Sequence, residues 1–172
     1  MTSHVWCLKQ TFSGKYDPPK EEDYERDFSV IGREITVKLI STIGTQQFTA
    51  MRDLYLKNGH GFILLYSMAS LKDFNGLVDR REQILRVRDS DEVPLVLVGA
   101  CREKDKKLRE VTTKQGQEMA ERLHGQFFEI DVCDWDQVDM VVKALLPKAI
   151  AWKEENEREE KRKEKEHDCV VM

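Results

Sequence analysis

A chain of 172 residues and 20.1 kDa, 40% of it hydrophobic, has room for one domain around one core. A net charge of -4 and a pI near 5.7 leave no basic face to outweigh the acidic residues, which argues against a nucleic-acid binder. No eighteen-residue apolar run exists for a spanning helix, the opening MTSHVWCLKQ has neither signal- nor transit-peptide character, and cysteines 7, 101, 133 and 169 lack metal-ligand spacing, so the expectation is reduced thiols and a cytosolic compartment.

In chain order, residues 4–8 read either as a short strand or as disordered chain. Residues 27–31 and 35–41 read as a β-hairpin turned at Gly32-Arg33. The second of these strands opens a strand, tight loop, helix, strand unit: Ile35, Val37 and Leu39 alternate with Thr36 and Lys38, Gly44 permits a sharp turn, and residues 62–66 are continuously apolar. The helix between, residues 49–58, places Met51, Leu54 and Tyr55 on one face, with Leu54 expected in the core. A long helix over 71–88 turns Phe74, Leu77, Val78, Ile84 and Leu85 inward, followed by a buried strand at 94–99. Residues 112–123 read as a helix with Met119 and Leu123 inward, 127–130 as the last strand, and Val138, Val141, Val142, Leu145, Leu146 and Ile150 as the inner face of a closing helix kinked at Pro147. The run KEENEREEKRKEKEHD, residues 153–168, reads as a solvated charged tail or as a helical extension laced by i,i+4 pairs such as Glu154 with Arg158. The chain closes on Cys169-Val170-Val171-Met172, a C-a-a-X box of the farnesyl type.

The segment GTQQFTAMRDLYLKNGHGFILLYS, from Gly44, and its continuation REQILRVRDSDEVPLVLVG resemble the switch II region and following elements of a Ras-family small GTPase, closest to the Rap branch. The resemblance covers residues 12 to about 151. It implies an α/β fold, a Ras-like sheet of the P-loop NTPase type with flanking helices, antiparallel in its first hairpin and otherwise parallel. It divides the chain into an atypical segment 1–11, a Ras-like domain 12–152, a charged tail 153–168 and a prenylation box 169–172. The family's first strand, GxxxxGK[ST] loop and first helix have no counterpart before Phe12, so the fold is expected to be N-terminally truncated. Family topology places the missing strand between the one ending at Ser41 and the one starting near Phe62. Either residues 4–8 insert there, Val5 and Cys7 facing one side and Trp6 the other, or the protein is marginally stable.

The resemblance also implies a site, and most of its motifs are altered. Phe12 stands where the family packs a phenylalanine against guanine and reads equally as an ordinary core aromatic, while Pro19 replaces the magnesium-ligating threonine and offers neither a hydroxyl nor an N–H. The Asp-x-x-Gly motif has become Ser41-Thr42-Ile43-Gly44: Gly44 is kept, while Ser41 lacks the charge a divalent cation favours. Thr45 occupies the water-positioning position, with Gln46 beside it, as weak catalytic candidates. Asn-Lys-x-Asp has become Ala100-Cys101-Arg102-Glu103, in which only Glu103 keeps a carboxylate; Cys101 reads as an inert strand-end thiol or a reactive one near Arg102 and Lys104. Asp131 replaces the small serine of the loop that supports the guanine carbonyl. Losing four charge-assisted phosphate contacts at roughly 1.5 kcal/mol each removes about 6 kcal/mol, or some four decades of affinity. The expectation is a prenylated pseudo-GTPase with no cofactor, lipidated at Cys169 and partly cytosolic, partly on the cytoplasmic face of a membrane. It would bind Ras-type regulators or effectors through Phe48, Met51 and Tyr55. The alternatives are a genuine small GTPase that binds GTP or GDP with Mg²⁺ weakly or with a partner's help, and a truncated gene product; bound guanine nucleotide would favour the former.

Overall fold

The computed structural model describes residues 2–7, 24–40, 49–101, 107–131 and 134–168. Six strands form one mixed sheet: β1 (Thr2–Cys7), β2 (Tyr24–Val30), β3 (Arg33–Ile40), β4 (Gly61–Ser67), β5 (Leu95–Cys101) and β6 (Gln126–Asp131), in the order β2-β3-β1-β4-β5-β6. β2 runs antiparallel to β3, and every other neighbouring pair is parallel, as expected. β1 fills the gap between β3 and β4, pairing Thr2 to Trp6 with Thr36 to Ile40 and Val5 to Cys7 with Gly61 to Ile63. The inserted strand begins two residues earlier than the 4–8 reading, because in this register Thr2 already faces Thr36.

The hairpin turns one residue earlier than expected. Val30 pairs with Arg33, so the loop is Ile31-Gly32, with φ of 53° and 70°, which is type I′ geometry matched to the twist of the flanking strands. Glycine adopts this conformation freely. Ile31 does not: a β-branched residue in the left-handed region is strained by about 1–2 kcal/mol, and this side chain is 76% exposed, so no packing offsets the strain.

Helices cover both faces of the sheet. α1 (Thr49–Asn58), α2 (Leu71–Asn75), α3 (Leu77–Arg88) and α4 (Thr113–Arg122) lie on one side, where Leu56, Phe74, Leu77, Ile84, Ala120 and Leu123 pack against Phe62, Leu64, Tyr66, Leu95 and Leu97. The expected 71–88 helix is two helices, broken at Gly76, whose N–H turns back to the Lys72 carbonyl at 3.3 Å. Phe74 and Leu77, on either side of the break, both reach the core. α4 begins with a capping box: the Thr112 N–H donates to Gln115 Oε1 at 2.8 Å, and the Gln115 N–H donates to Thr112 Oγ1 at 3.3 Å.

On the other face α5 (Trp135–Asp168) packs Val141, Val142, Leu145 and Leu146 against Phe28, Ile35, Val37, Ile63, Val96, Val98 and Ile130. It runs 34 residues, about 51 Å at 1.5 Å per residue, continuing through Pro147 and the charged run that also read as a tail. The continuation is anchored, since Arg33 Nη1 donates to Glu154 Oε1 at 3.2 Å. Glu154 also lies 3.9 Å from Arg158, and Lys153 lies 3.8 Å from Glu157, pairs of the i,i+4 kind that favour helix. Among the described residues no helix is long and apolar enough to cross a membrane.

Candidate functional site

Parallel strands end along one edge, and in open α/β sheets ligands bind in the crevice beyond those carboxyl ends. Here the edge is set by Cys7, Ile40, Ser67, Cys101 and Asp131, the last residues of β1, β3, β4, β5 and β6. The segment after β5 is bonded onto neighbouring loops. Glu110 and Val111 donate their N–H groups to the Met68 carbonyl at 2.8 and 3.1 Å, and the Glu110 carboxylate accepts the Leu71 N–H at 2.8 Å. Arg109 then ties the segment to β6 with a two-pronged contact to Glu129, Nη1 to Oε1 at 2.9 Å and Nη2 to Oε2 at 3.1 Å. Its Nη1 also reaches Thr113 Oγ1 at 3.2 Å. The bond to Glu129 is the main reason the guanidinium is held above its ordinary pKa. Sequence reading missed this pair, because twenty residues separate its members and no local pattern links them.

The residue beneath is Tyr66, 1% exposed, with no hydrogen-bond partner for its hydroxyl among the described residues. The oxygen sits where side chains on two glycines would otherwise be: a Cβ built on Gly99 would lie 2.9 Å from it and one on Gly116 2.7 Å from it. Burial first, and the charge of Glu129 second, push the Tyr66 phenol up to about 12, with Arg109 pulling the other way.

Three positions of the expected base-reading motifs, Ala100, Cys101 and Asp131, lie within the described residues. Ala100 is 3% exposed in β5, and its carbonyl accepts the Met68 N–H at 3.1 Å, so where an asparagine side chain would read a base there is a buried methyl group. The Asp131 N–H donates to Gln137 Oε1 at 2.9 Å, while Gln137 Nε2 donates to Asp134 Oδ2 at 2.8 Å. Asp134 Oδ1 accepts the N–H groups of Asp136 and Gln137 at 3.0 and 3.3 Å, capping α5. Cys101 is half-buried and lies against the core, while Arg102 and Lys104, which its reactive reading invoked, lie outside the described residues. Among the described residues no group of three His, Cys, Asp or Glu side chains could hold a metal ion.

Phe12, Pro19, Ser41, Gly44, Thr45, Gln46, Phe48, Glu103 and Cys169 lie outside the described residues. Met51 is placed in α1. On that helix the core expectation for Leu54 is corrected: Leu54 is 56% exposed, and Leu56 enters the core instead. The reason is helical phase. Leu56 lies about 200° around the axis from Leu54, and Gln83 of α3, donating to Asp53 Oδ1 at 3.2 Å, helps hold the helix with that side inward. Tyr55 lies partly buried against the core, between the two.

A six-stranded sheet with one antiparallel edge strand, helices on both faces and an altered ligand edge defines a domain of the small-GTPase class. A model of the Ras family matches residues 4–151. The chain belongs to the Ras family, and the matched region begins within β1.

Proposed function

We propose that this protein is a Ras-family pseudo-GTPase: a partner-binding module that works with little or no GTP binding and is tethered to the cytoplasmic face of a membrane by a prenyl group on Cys169. The observation that carries the reading is Ala100, an apolar buried side chain at the position where the family's base-reading asparagine is expected. Asp131, with its N–H already given to Gln137, and the sequence changes at Pro19 and Ser41 point the same way. Regulators or effectors would meet α1 and the loop before it, through Phe48, Met51 and Tyr55, with Leu54 adding exposed apolar surface beside them. A single prenyl group anchors weakly, so the protein would divide between membrane and cytosol.

Titration calorimetry of the purified protein with GTP and GDP, with and without Mg²⁺, tests the reading. The expected outcome is no binding at micromolar concentration. A dissociation constant below about 10 µM that depends on Mg²⁺ would overturn it.

A further inference from the structure

α5 runs on past the edge of the domain it helps to build. It starts beside the carboxyl edge of the sheet, where Gln137 accepts the Asp131 N–H at 2.9 Å, and packs across one face through Val141, Val142, Leu145 and Leu146. It reaches the opposite, amino edge at Trp152, whose ring lies 4.4 Å from the Arg88 guanidinium, and at Glu154, bonded at 3.2 Å to Arg33, the first residue of β3. From Glu154 the helix continues to Asp168, fourteen residues or about 21 Å further.

This overhang has the composition of a helix that holds without tertiary support. Residues 155–168 include no glycine, proline or β-branched residue, and all but Asn156, His167 and Asp168 are Glu, Lys or Arg, which are strong helix formers. Nucleation, the costly step of helix formation, is already supplied by the packed part of α5. Glu157 with Lys161, Glu159 with Lys163 and Arg162 with Glu166 have the i,i+4 spacing that supports a helix polar all round. No apolar residue occurs in this stretch, so it has no face to bury in lipid. Seven acidic residues against five basic ones leave it net negative, so an anionic bilayer does not draw it down flat.

We propose that the overhang is a rigid strut: joined to a prenyl group on Cys169, it holds the Ras-like domain about 20 Å from a lipid bilayer, with the amino edge of the sheet toward the lipid. The inference rests on the prenylation reading above. Cys169 follows directly on the last residue of the helix, so little slack separates strut from anchor. A rod pivoting at that point brings the domain onto the lipid only by lying flat, which its charge disfavours. A flexible link of the same length would let the domain touch the head groups in many orientations.

The test uses the full-length ¹⁵N-labelled chain, free and farnesylated. Protein farnesyltransferase and farnesyl diphosphate form the thioether between Cys169 Sγ and C1 of the farnesyl group, with diphosphate leaving and the thiol proton released. The product is loaded on nanodiscs of phosphatidylcholine and phosphatidylserine that carry nitroxide head groups. In the free protein, backbone order parameters over residues 157–166 should be about 0.8, close to those of a rigid backbone. On the nanodiscs, the amides of the Ile31-Gly32 turn at the amino edge should be little broadened. Glu159→Pro, which breaks the helix beyond the core, should raise that broadening several-fold, because a flexible link admits close approaches. Should that variant not fold, Glu159→Gly combined with Glu160→Gly makes the same comparison. Order parameters below about 0.6, or equal broadening in the parent and the broken-helix variant, would overturn the strut and leave prenylation standing. A chain that gains no farnesyl mass on Cys169 would refute the prenylation reading, and the membrane role of the strut with it, whatever the order parameters.

Discussion

Replacing Tyr66 by phenylalanine should stabilise the protein, although it deletes a polar group from the middle of a strand. A buried hydroxyl without a partner carries a desolvation cost of about 1–3 kcal/mol, and the Tyr66 oxygen has no partner among the described residues. Against the gain stands the space the oxygen leaves between Gly99 and Gly116. One oxygen is smaller than a methyl group, so the void should cost only about 0.5 kcal/mol. The balance is a gain of about 1 kcal/mol, or about 2–4 °C in midpoint for a domain of this size. Urea unfolding at pH 7 measures it. A second readout follows from ionisation: with the folded-state phenol at about 12 and the unfolded value at 10.0, the folded protein holds the proton more tightly. The stability this contributes is complete below pH 10 and is lost as pH rises through 12. The loss approaches about 2.7 kcal/mol for a two-unit shift and falls nearer 2 once water screens the charges of Glu129 and Arg109. Tyr66→Phe should flatten the stability curve over that interval. A variant less stable than the parent by more than about 1 kcal/mol at pH 7 would refute the reasoning, since it would mean that the hydroxyl is bonded in the folded protein.

Ile31→Asn should raise stability by about 1 kcal/mol, because asparagine tolerates the left-handed conformation that isoleucine resists; an unchanged urea midpoint would show that the turn is not strained. Asp134→Ala removes the acceptor for the Asp136 and Gln137 N–H groups and should lower stability by about 1 kcal/mol, seen in a thermal melt; full retention of the melting midpoint would show that water replaces the cap. Cys169→Ser should make the protein wholly soluble in cell fractionation, while the parent divides between membrane and cytosol. Equal distribution of the two would show that the C-terminal box is not processed.

Much of the fold was legible because burial on both faces writes continuous apolar runs. Residues 62–66 and 94–99 gave their strands to within two residues at each end. Errors fell where one residue decides geometry. Gly76 inside an apolar-periodic stretch broke a helix, and the pairing of Val30 with Arg33 moved a turn by one residue. Leu54 was misplaced because Met51, Leu54 and Tyr55 make a plausible apolar face, and only the packing of α1 against α3 selects Leu56 over Leu54. The charged helix could not be chosen over a solvated tail from its i,i+4 pairs alone, since the contact that anchors it, Arg33 with Glu154, spans 121 residues. The site was legible as a set of changed motif positions. Its internal bonds were not, because Arg109 with Glu129 and Leu71 with Glu110 are long-range pairings.

Those internal bonds bear directly on what the edge can bind. In a sheet whose carboxyl edge is organised by a ligand, main-chain and side-chain polar groups are left to meet it, and the ligand orders the loops as it binds. Here the Asp131 N–H, the Ala100 carbonyl, the Glu110 carboxylate and the Arg109 guanidinium each already have a protein partner at 3.1 Å or less. A ligand recruiting any of them must first displace that partner, at about 0.5–1.5 kcal/mol for a neutral bond and up to about 3 where a charge is involved. The hydrophobic clusters on the two faces of the sheet do not depend on these groups. Core residues can therefore preserve the Ras-family fold independently of substitutions along one edge.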